Sequence, residues 1–137
     1  MKKLAAGNWK MNGTRASLAE VTALLVAQPS PACEMLLCPP ATLVAAMAEA
    51  AKGSALMVGA QDCHPKPLGA HTGDISVGML RDAGATHVIL GHSERRTDHG
   101  ETDDLARAKA EAVVDAGLIA IVCIGETEAE HDAGKTL

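Results

Sequence analysis

Lys10 and His92 are the side chains whose positions in the sequence best suit chemistry. Each stands at the end of a short apolar run: Lys10 after Leu4-Ala5-Ala6-Gly7-Asn8-Trp9, His92 after His87-Val88-Ile89-Leu90-Gly91. A lysine there can hold an anionic group as a compact point charge, with Asn8 beside it. The same residue also fits a solvated turn. For His92, a helical turn opening after Ser93 would aim backbone amides at the imidazole, disfavour imidazolium and leave a neutral hydrogen-bond donor. The competing reading is a structural histidine bridging loops. Glu94 follows in the same charged turn, and Arg95 and Arg96 suit structural ion pairs better than ligand binding.

The other histidines carry less. His87 begins a strand-like run, while His99 and His131 lie in charged stretches. His64 and His71 belong to a long segment from Cys63 to Ser76, and long loops in compact domains are often functional. Its Gly69-Ala70-His71-Thr72-Gly73 stretch has the shape of a protruding tip that a partner subunit would receive. Cys63, His64 and His71 together could be read as metal ligands, but the spacing is irregular and the loop rich in proline, so no metal is expected. The four cysteines form no C-x-x-C pair and read as reduced, mostly buried thiols.

Composition sets bounds. A formal charge of −5 with no basic stripe speaks against nucleic-acid binding. No apolar run reaches a membrane span of roughly 18 residues. The Met1-Lys2-Lys3-Leu4 start has no signal-peptide core behind it, so a cytoplasmic protein is expected. With 1% aromatics, core volume must come from Ala, Val, Leu, Ile and Met.

The elements that must position Lys10 and His92 alternate. Strands are expected at Leu4–Trp9, Met35–Cys38, Ala55–Ala60, His87–Gly91 and Leu118–Ile124. Between them fall a helix capped by Thr14 with Leu18, Val21, Leu24 and Leu25 on one face, and another through Leu43, Val44 and Met47. A short one spans Val77–Asp82, and one capped by Thr102 carries Leu105, Ala108 and Ala112. A last helix is expected to begin near Glu128. Apolar strands alternating with helices indicate a parallel sheet of right-handed βαβ units. An open doubly wound sheet and a closed (β/α)8 barrel both fit. Polar residues after several strands (Asn8, Lys10, Gln61, His92, Glu94, Glu126) favour the barrel, whose strand ends share one face. Neither G-x-G-x-x-G nor a P-loop occurs. Five strands cannot close such a barrel, and the chain is expected to be its truncated N-terminal part, residues 1–137 of a single domain.

Four stretches now name a family. Gly7-Asn8-Trp9-Lys10-Met11-Asn12 resembles the first strand and loop of triosephosphate isomerases. Gly59-Ala60-Gln61-Asp62-Cys63-His64 with Gly69–Gly73 resembles the third. Ile89–Arg96 resembles the fourth, and Val122-Cys123-Ile124-Gly125-Glu126-Thr127 the fifth, in the family's order and spacing. The resemblance implies a (β/α)8 barrel, of which about five β/α units are covered. It implies interconversion of dihydroxyacetone phosphate and glyceraldehyde 3-phosphate without cofactor or metal, in glycolysis and gluconeogenesis, by a homodimer.

It further implies that Lys10 and Asn8 bind substrate and that His92 is the neutral electrophile, a known instance of a helix N-terminus keeping an imidazole uncharged. Glu94 would organise Lys10, with a part in proton transfer. Thr72, Gly73 and His71 would lie at the dimer interface. Two residues depart from the family's habit: His87, where an aromatic or aliphatic side chain is usual, and Asp74, where Glu is commoner. The family's catalytic glutamate, lid and phosphate loops fall beyond residue 137, so this chain alone is expected to be inactive. Two other readings remain: another phosphate-using barrel enzyme, and a non-catalytic half-barrel serving as an assembly module.

Overall fold

A computed structural model describes residues 3–125 and 131–134. Five parallel strands run β1 (Leu4–Asn8), β2 (Glu34–Cys38), β3 (Leu56–Ala60), β4 (His87–Leu90) and β5 (Ile119–Val122). Their spatial order is β1-β2-β3-β4-β5, and each pair is parallel. A doubly wound sheet reverses its order at a switch point; here sequential strands are always neighbours, which is the topology of a barrel wall. The sheet is a curled half-barrel.

Five helices cross between the strands: α1 (Leu18–Ala27), α2 (Val44–Ala51), α3 (Val77–Asp82), α4 (Ser93–His99) and α5 (Asp103–Asp115). Their starts follow from local polar chemistry. The Ser76 side chain accepts from Met79 N–H to open α3, and Thr102 accepts from Leu105 N–H to open α5. Thr14 precedes a 3-10 turn, Arg15–Ser17, rather than α1 itself, and its N–H donates to Ser17 Oγ. The charged turn after His92 is a full helix, which stops at Gly100 in a left-handed conformation.

The main core lies between sheet and helices. Val21 of α1, Val44 and Met47 of α2, Val88 and Leu90 of β4, and Val113 of α5 are fully buried there. Removing each such side chain from water contributes roughly 1.5–3 kcal/mol. A second, smaller cluster occupies the concave face: Leu36, Cys38 and Ile89, flanked by Met57, Ile121 and Cys123. Space is tight at Gly59, where a Cβ would stand 2.7 Å from Cys38 Sγ and 3.0 Å from His87 O. Burial holds the Cys38 thiol at a pKa of about 12, and all four cysteines are unpaired, as expected of reduced thiols.

Besides Thr14, further expectations need correction, among them the fifth strand, which is Ile119–Val122 rather than Leu118–Ile124. β1 ends at Asn8, not Trp9, because the chain turns at Lys10. The buried face of α5 is Ala106, Lys109 and Val113, one residue away from the expected Leu105, Ala108 and Ala112; Leu105 is exposed. Continuous apolar burial holds for β2–β4, whereas on the two edge strands Leu4, Ile119 and Val122 are exposed. The helix expected near Glu128 and the site residue Glu126 lie outside the described residues. No helix among the described residues is long and apolar enough to cross a membrane.

His87 is buried at the start of β4, on the same strand face as Ile89. Its Nδ1 stands 2.8 Å from Thr86 Oγ1. Burial lowers its pKa, and the nearby Glu34 offsets this only in part. The unfolded chain therefore takes up a proton near pH 6.5 that the folded ring resists, so stability is complete above that value and falls as pH drops below it. In the complete protein, His87→Leu is expected to flatten the pH dependence of the urea midpoint between pH 7 and 5. An unchanged slope would show that His87 does not set it.

Candidate active site

Lys10 adopts φ 54, a left-handed conformation uncommon outside glycine. Three contacts hold it there. Lys10 N–H donates to Asn8 Oδ1 at 2.8 Å, and Gln61 Nε2 donates to Lys10 O and to Cys38 O, both at 2.9 Å. Strain of this kind persists where the surroundings over-determine it, commonly at functional sites. Asn12 Nδ2 closes the next turn on Trp9 O at 2.9 Å. The result aims the Lys10 side chain across the mouth of the half-barrel, where Nζ meets Glu94 Oε1 at 2.6 Å.

His92 is the N-cap of α4. Its Nδ1 accepts from Glu94 N–H at 3.3 Å, one of the first-turn amides that have no partner within the helix. Nδ1 is also 3.4 Å from Glu94 Oε2. That carboxylate is engaged by Lys10, and an Nδ1 that accepts an amide proton carries none of its own. In this arrangement Nε2 is the ring's remaining donor. The helical turn expected after Ser93 is thus present and oriented as the sequence reading required. Glu94 has its pKa lowered by the Lys10 hydrogen bond, with burial opposing and the Lys10 charge assisting.

Behind these working groups is a buried ionic cluster. Glu101 and Lys109 are 5% and 4% exposed, and Lys109 Nζ donates to Glu101 Oε2 at 2.6 Å and to Asp62 Oδ1 at 2.8 Å. Arg95 bridges the same two acids, at 3.0 Å each. Burial pushes the Glu101 carboxyl upward, but hydrogen bonds from Lys109, Arg95 and the Gly91 amide outweigh it and leave its pKa lowered. Glu101 Oε1 accepts from Gly91 N–H at 2.9 Å, while Arg96 Nε donates to Gly91 O at 2.7 Å. Both polar groups of the peptide residue before His92 are therefore fixed. Gly91 also needs its φ of 64, and a Cβ there would press within 2.9 Å of Arg96.

Asn8, Lys10, His92 and Glu94 line one open cavity of about 710 Å³, and Gly73 reaches its rim. Thr72 and His71 do not line it. Arg95 lines the cavity too but is held by Asp62 and Glu101. That leaves Lys10, among the described lining residues, as the cation with an exposed, displaceable partner. Both arginines are structural ion-pair formers, as expected. The Cys63, His64, His71 metal set does not form: Cys63 is buried in the core, with a thiol pKa pushed up to about 12 by burial and by Asp62. Sequence reasoning missed the clamping role of Gln61 and the whole Asp62–Glu101–Lys109 cluster. A lysine at helical spacing between Ala106 and Val113 was the available signal.

Fold and site define one class, a wall of a (β/α)8 barrel whose strand ends carry a polar site with a poised lysine and a helix-capping histidine. The triosephosphate isomerase family model matches residues 3–137, and the chain belongs to that family. It is 62% identical over 136 residues to the triosephosphate isomerase of Dinoroseobacter shibae, covering 99% of this chain and 55% of that protein. The Bradyrhizobium diazoefficiens triosephosphate isomerase is 60% identical over 139 residues, again with 55% of its length covered. The crystal structure of triosephosphate isomerase from Bartonella henselae superposes with a TM-score of 0.94 at 46% identity, covering 98% of this chain and 56% of that one. The chain spans a little over half the length of the relatives it matches.

Removing one member of a buried ion cluster leaves the others uncompensated, at roughly 3–5 kcal/mol. In the complete protein, Glu101→Gln is expected to lower unfolding free energy by about 3 kcal/mol, measured by urea denaturation. A midpoint within error of the unsubstituted protein would show the cluster to be dispensable.

Proposed function

We propose that the complete protein is a triosephosphate isomerase, interconverting dihydroxyacetone phosphate and D-glyceraldehyde 3-phosphate through an enediolate. The observation that carries this is the convergence of a strained Lys10 and a helix-capping His92 on one cavity. Lys10 and Asn8 bind the substrate: Lys10 gives up Glu94 for the anionic substrate and stabilises negative charge developing on its oxygen. His92, with its proton on Nε2, donates to the carbonyl oxygen and moves protons between the two substrate oxygens. Glu94 holds Lys10 in register until substrate arrives. Together Lys10, His92 and Glu94 are the catalytic residues of this chain. The reaction needs no cofactor or metal.

The proton on carbon requires a base other than Glu94, whose part is to position Lys10, and Glu101, which is buried. In this reading that base belongs to the part of the barrel beyond residue 137. Residues 1–137, as part of a single barrel domain, are therefore inactive alone. The working protein is cytoplasmic, serves glycolysis and gluconeogenesis, and has no nucleic-acid or membrane partner. The rival reading, a non-catalytic half-barrel assembly module, gives no reason for strain to be kept at Lys10.

Losing a charge contact made in the transition state costs several kcal/mol, or about 10²–10³-fold in turnover. Lys10→Met in the complete protein is expected to lower kcat by at least that much with an unchanged circular dichroism spectrum. Near-normal turnover in a coupled assay would make Lys10 a solvated turn residue and remove the ground for the assignment.

The protein works as a homodimer in which the 64–76 loop, with His71, Thr72 and Gly73 at its interface, enters a second copy near that copy's site. The loop's exposed tip, closed by the Asp74 N–H to His71 O bond, supports this. Deleting residues 70–74 is expected to yield monomers of much reduced activity. An intact, active dimer in analytical ultracentrifugation would refute it.

A further inference from the structure

The 63–76 loop holds a second cluster that the isomerase chemistry does not use. One donor atom from each of His64, His71 and Asp74 lies within 4.8 Å of the others. The two imidazoles stack, with centroids 4.0 Å apart and planes inclined by 28°. His64 Nε2 stands 3.8 Å from Asp74 Oδ2. The backbones that carry them are pinned by main-chain bonds. His64 N–H donates to Ile75 O at 2.8 Å within a parallel bridge to Ser76, and Asp74 N–H donates to His71 O at 3.0 Å.

We propose that His64, His71 and Asp74 bind a divalent transition-metal ion, with Zn²⁺ the best match. Two imidazoles and one carboxylate suit Zn²⁺, Co²⁺ or Ni²⁺, whereas Mg²⁺ and Ca²⁺ prefer oxygen donors throughout. Donors bonded at about 2.0–2.1 Å in a tetrahedron stand roughly 3.4 Å apart. The donors must therefore close by on the order of 1 Å while the two rings swing out of their stack, a side-chain adjustment on a fixed backbone. Water fills the fourth position. Binding has a cost: His64 Nδ1 accepts from Lys66 N–H at 3.0 Å, so the free ring keeps its proton on Nε2. Coordination through Nε2 moves that proton to Nδ1 and gives up the Lys66 bond, which places the affinity below that of a closed structural zinc site. Thr72 and Gly73 lie between two of the ligands, so the ion holds the loop tip in one conformation.

The test is titration of the complete, chelator-treated protein with Co²⁺, followed by visible absorption, and then displacement by Zn²⁺. One equivalent per chain with a tetrahedral cobalt spectrum is expected. His64→Phe and His71→Phe keep a flat ring for stacking but remove the donor, and each should weaken binding at least tenfold, as should Asp74→Asn. In the unsubstituted protein, Zn²⁺ should shift the ring-proton resonances of His64 and His71 together and leave those of His92 and His99 in place. This reading holds whether or not any variant folds. Absence of a tetrahedral spectrum, affinity indifferent to all three substitutions, or unmoved His64 and His71 resonances would each overturn the site. Isomerase activity of the metal-free protein is assayed separately, so loss of the metal site leaves the proposed function standing.

Discussion

The Glu101 carboxylate is the contact on which the site's geometry depends. It takes Lys109 and Arg95 on one oxygen and the Gly91 amide on the other. Through Asp62 the same cations reach the segment that follows β3. One buried anion thus joins the ends of β3 and β4, the first turn of α4 and the inner face of α5. Its energetics are those of a locked arrangement rather than of a large net gain. Desolvation opposes each charge, and four mutually satisfying partners offset that cost only when all are present. The penalty for losing one is what makes the arrangement rigid, and rigidity is what His92 inherits from Gly91.

The Lys10–Glu94 pair stands at the opposite extreme. At 2.6 Å it is as short as Lys109–Glu101, yet its side chains are 52% and 49% exposed. Solvent and salt screen such a pair, so it contributes little to stability. That weakness leaves the Lys10 ammonium free to exchange its carboxylate for another anion. The two pairs differ in burial, not in bond length.

The fold was legible because apolar runs and their polar stops are local properties. Leu36, Val58 and Val88 fall inside recognisable strands, and Thr102 and Ser76 carry their capping chemistry on their own side chains. Alternation alone left strand order open between barrel and doubly wound sheet; the polar strand ends and the family resemblance pointed to the barrel, and the sequential order β1-β2-β3-β4-β5 agrees. Lys109 misled the reading of α5, because a charged residue on the core face mimics a solvent position and shifted the apparent apolar stripe to Leu105. Lys10 and His92 stood out as strand-end residues. Gln61 was noticed there too, but its role lies in bonds to Lys10 O and Cys38 O, distant in sequence and invisible to any local pattern.

Curvature explains how groups from β1 and β4 come to act together. Neighbouring strands lie about 4.8 Å apart, so three spacings in a flat sheet separate the two by roughly 14 Å, with side chains projecting in parallel. No lysine and glutamate would meet across that distance. Curling turns the concave faces of β1 and β4 toward each other, and the sequential order β1-β2-β3-β4 brings every carboxyl end to the same rim. The left-handed turn at Lys10 then directs a long side chain inward, and the first turn of α4 lifts Glu94 to meet it. One small residue of the wall assists: Gly59 lets Cys38 and the His87 carbonyl approach where any side chain would hold the strands apart. Sequential strand order, curvature and the close approach at Gly59 together let two distant strand ends share one cavity.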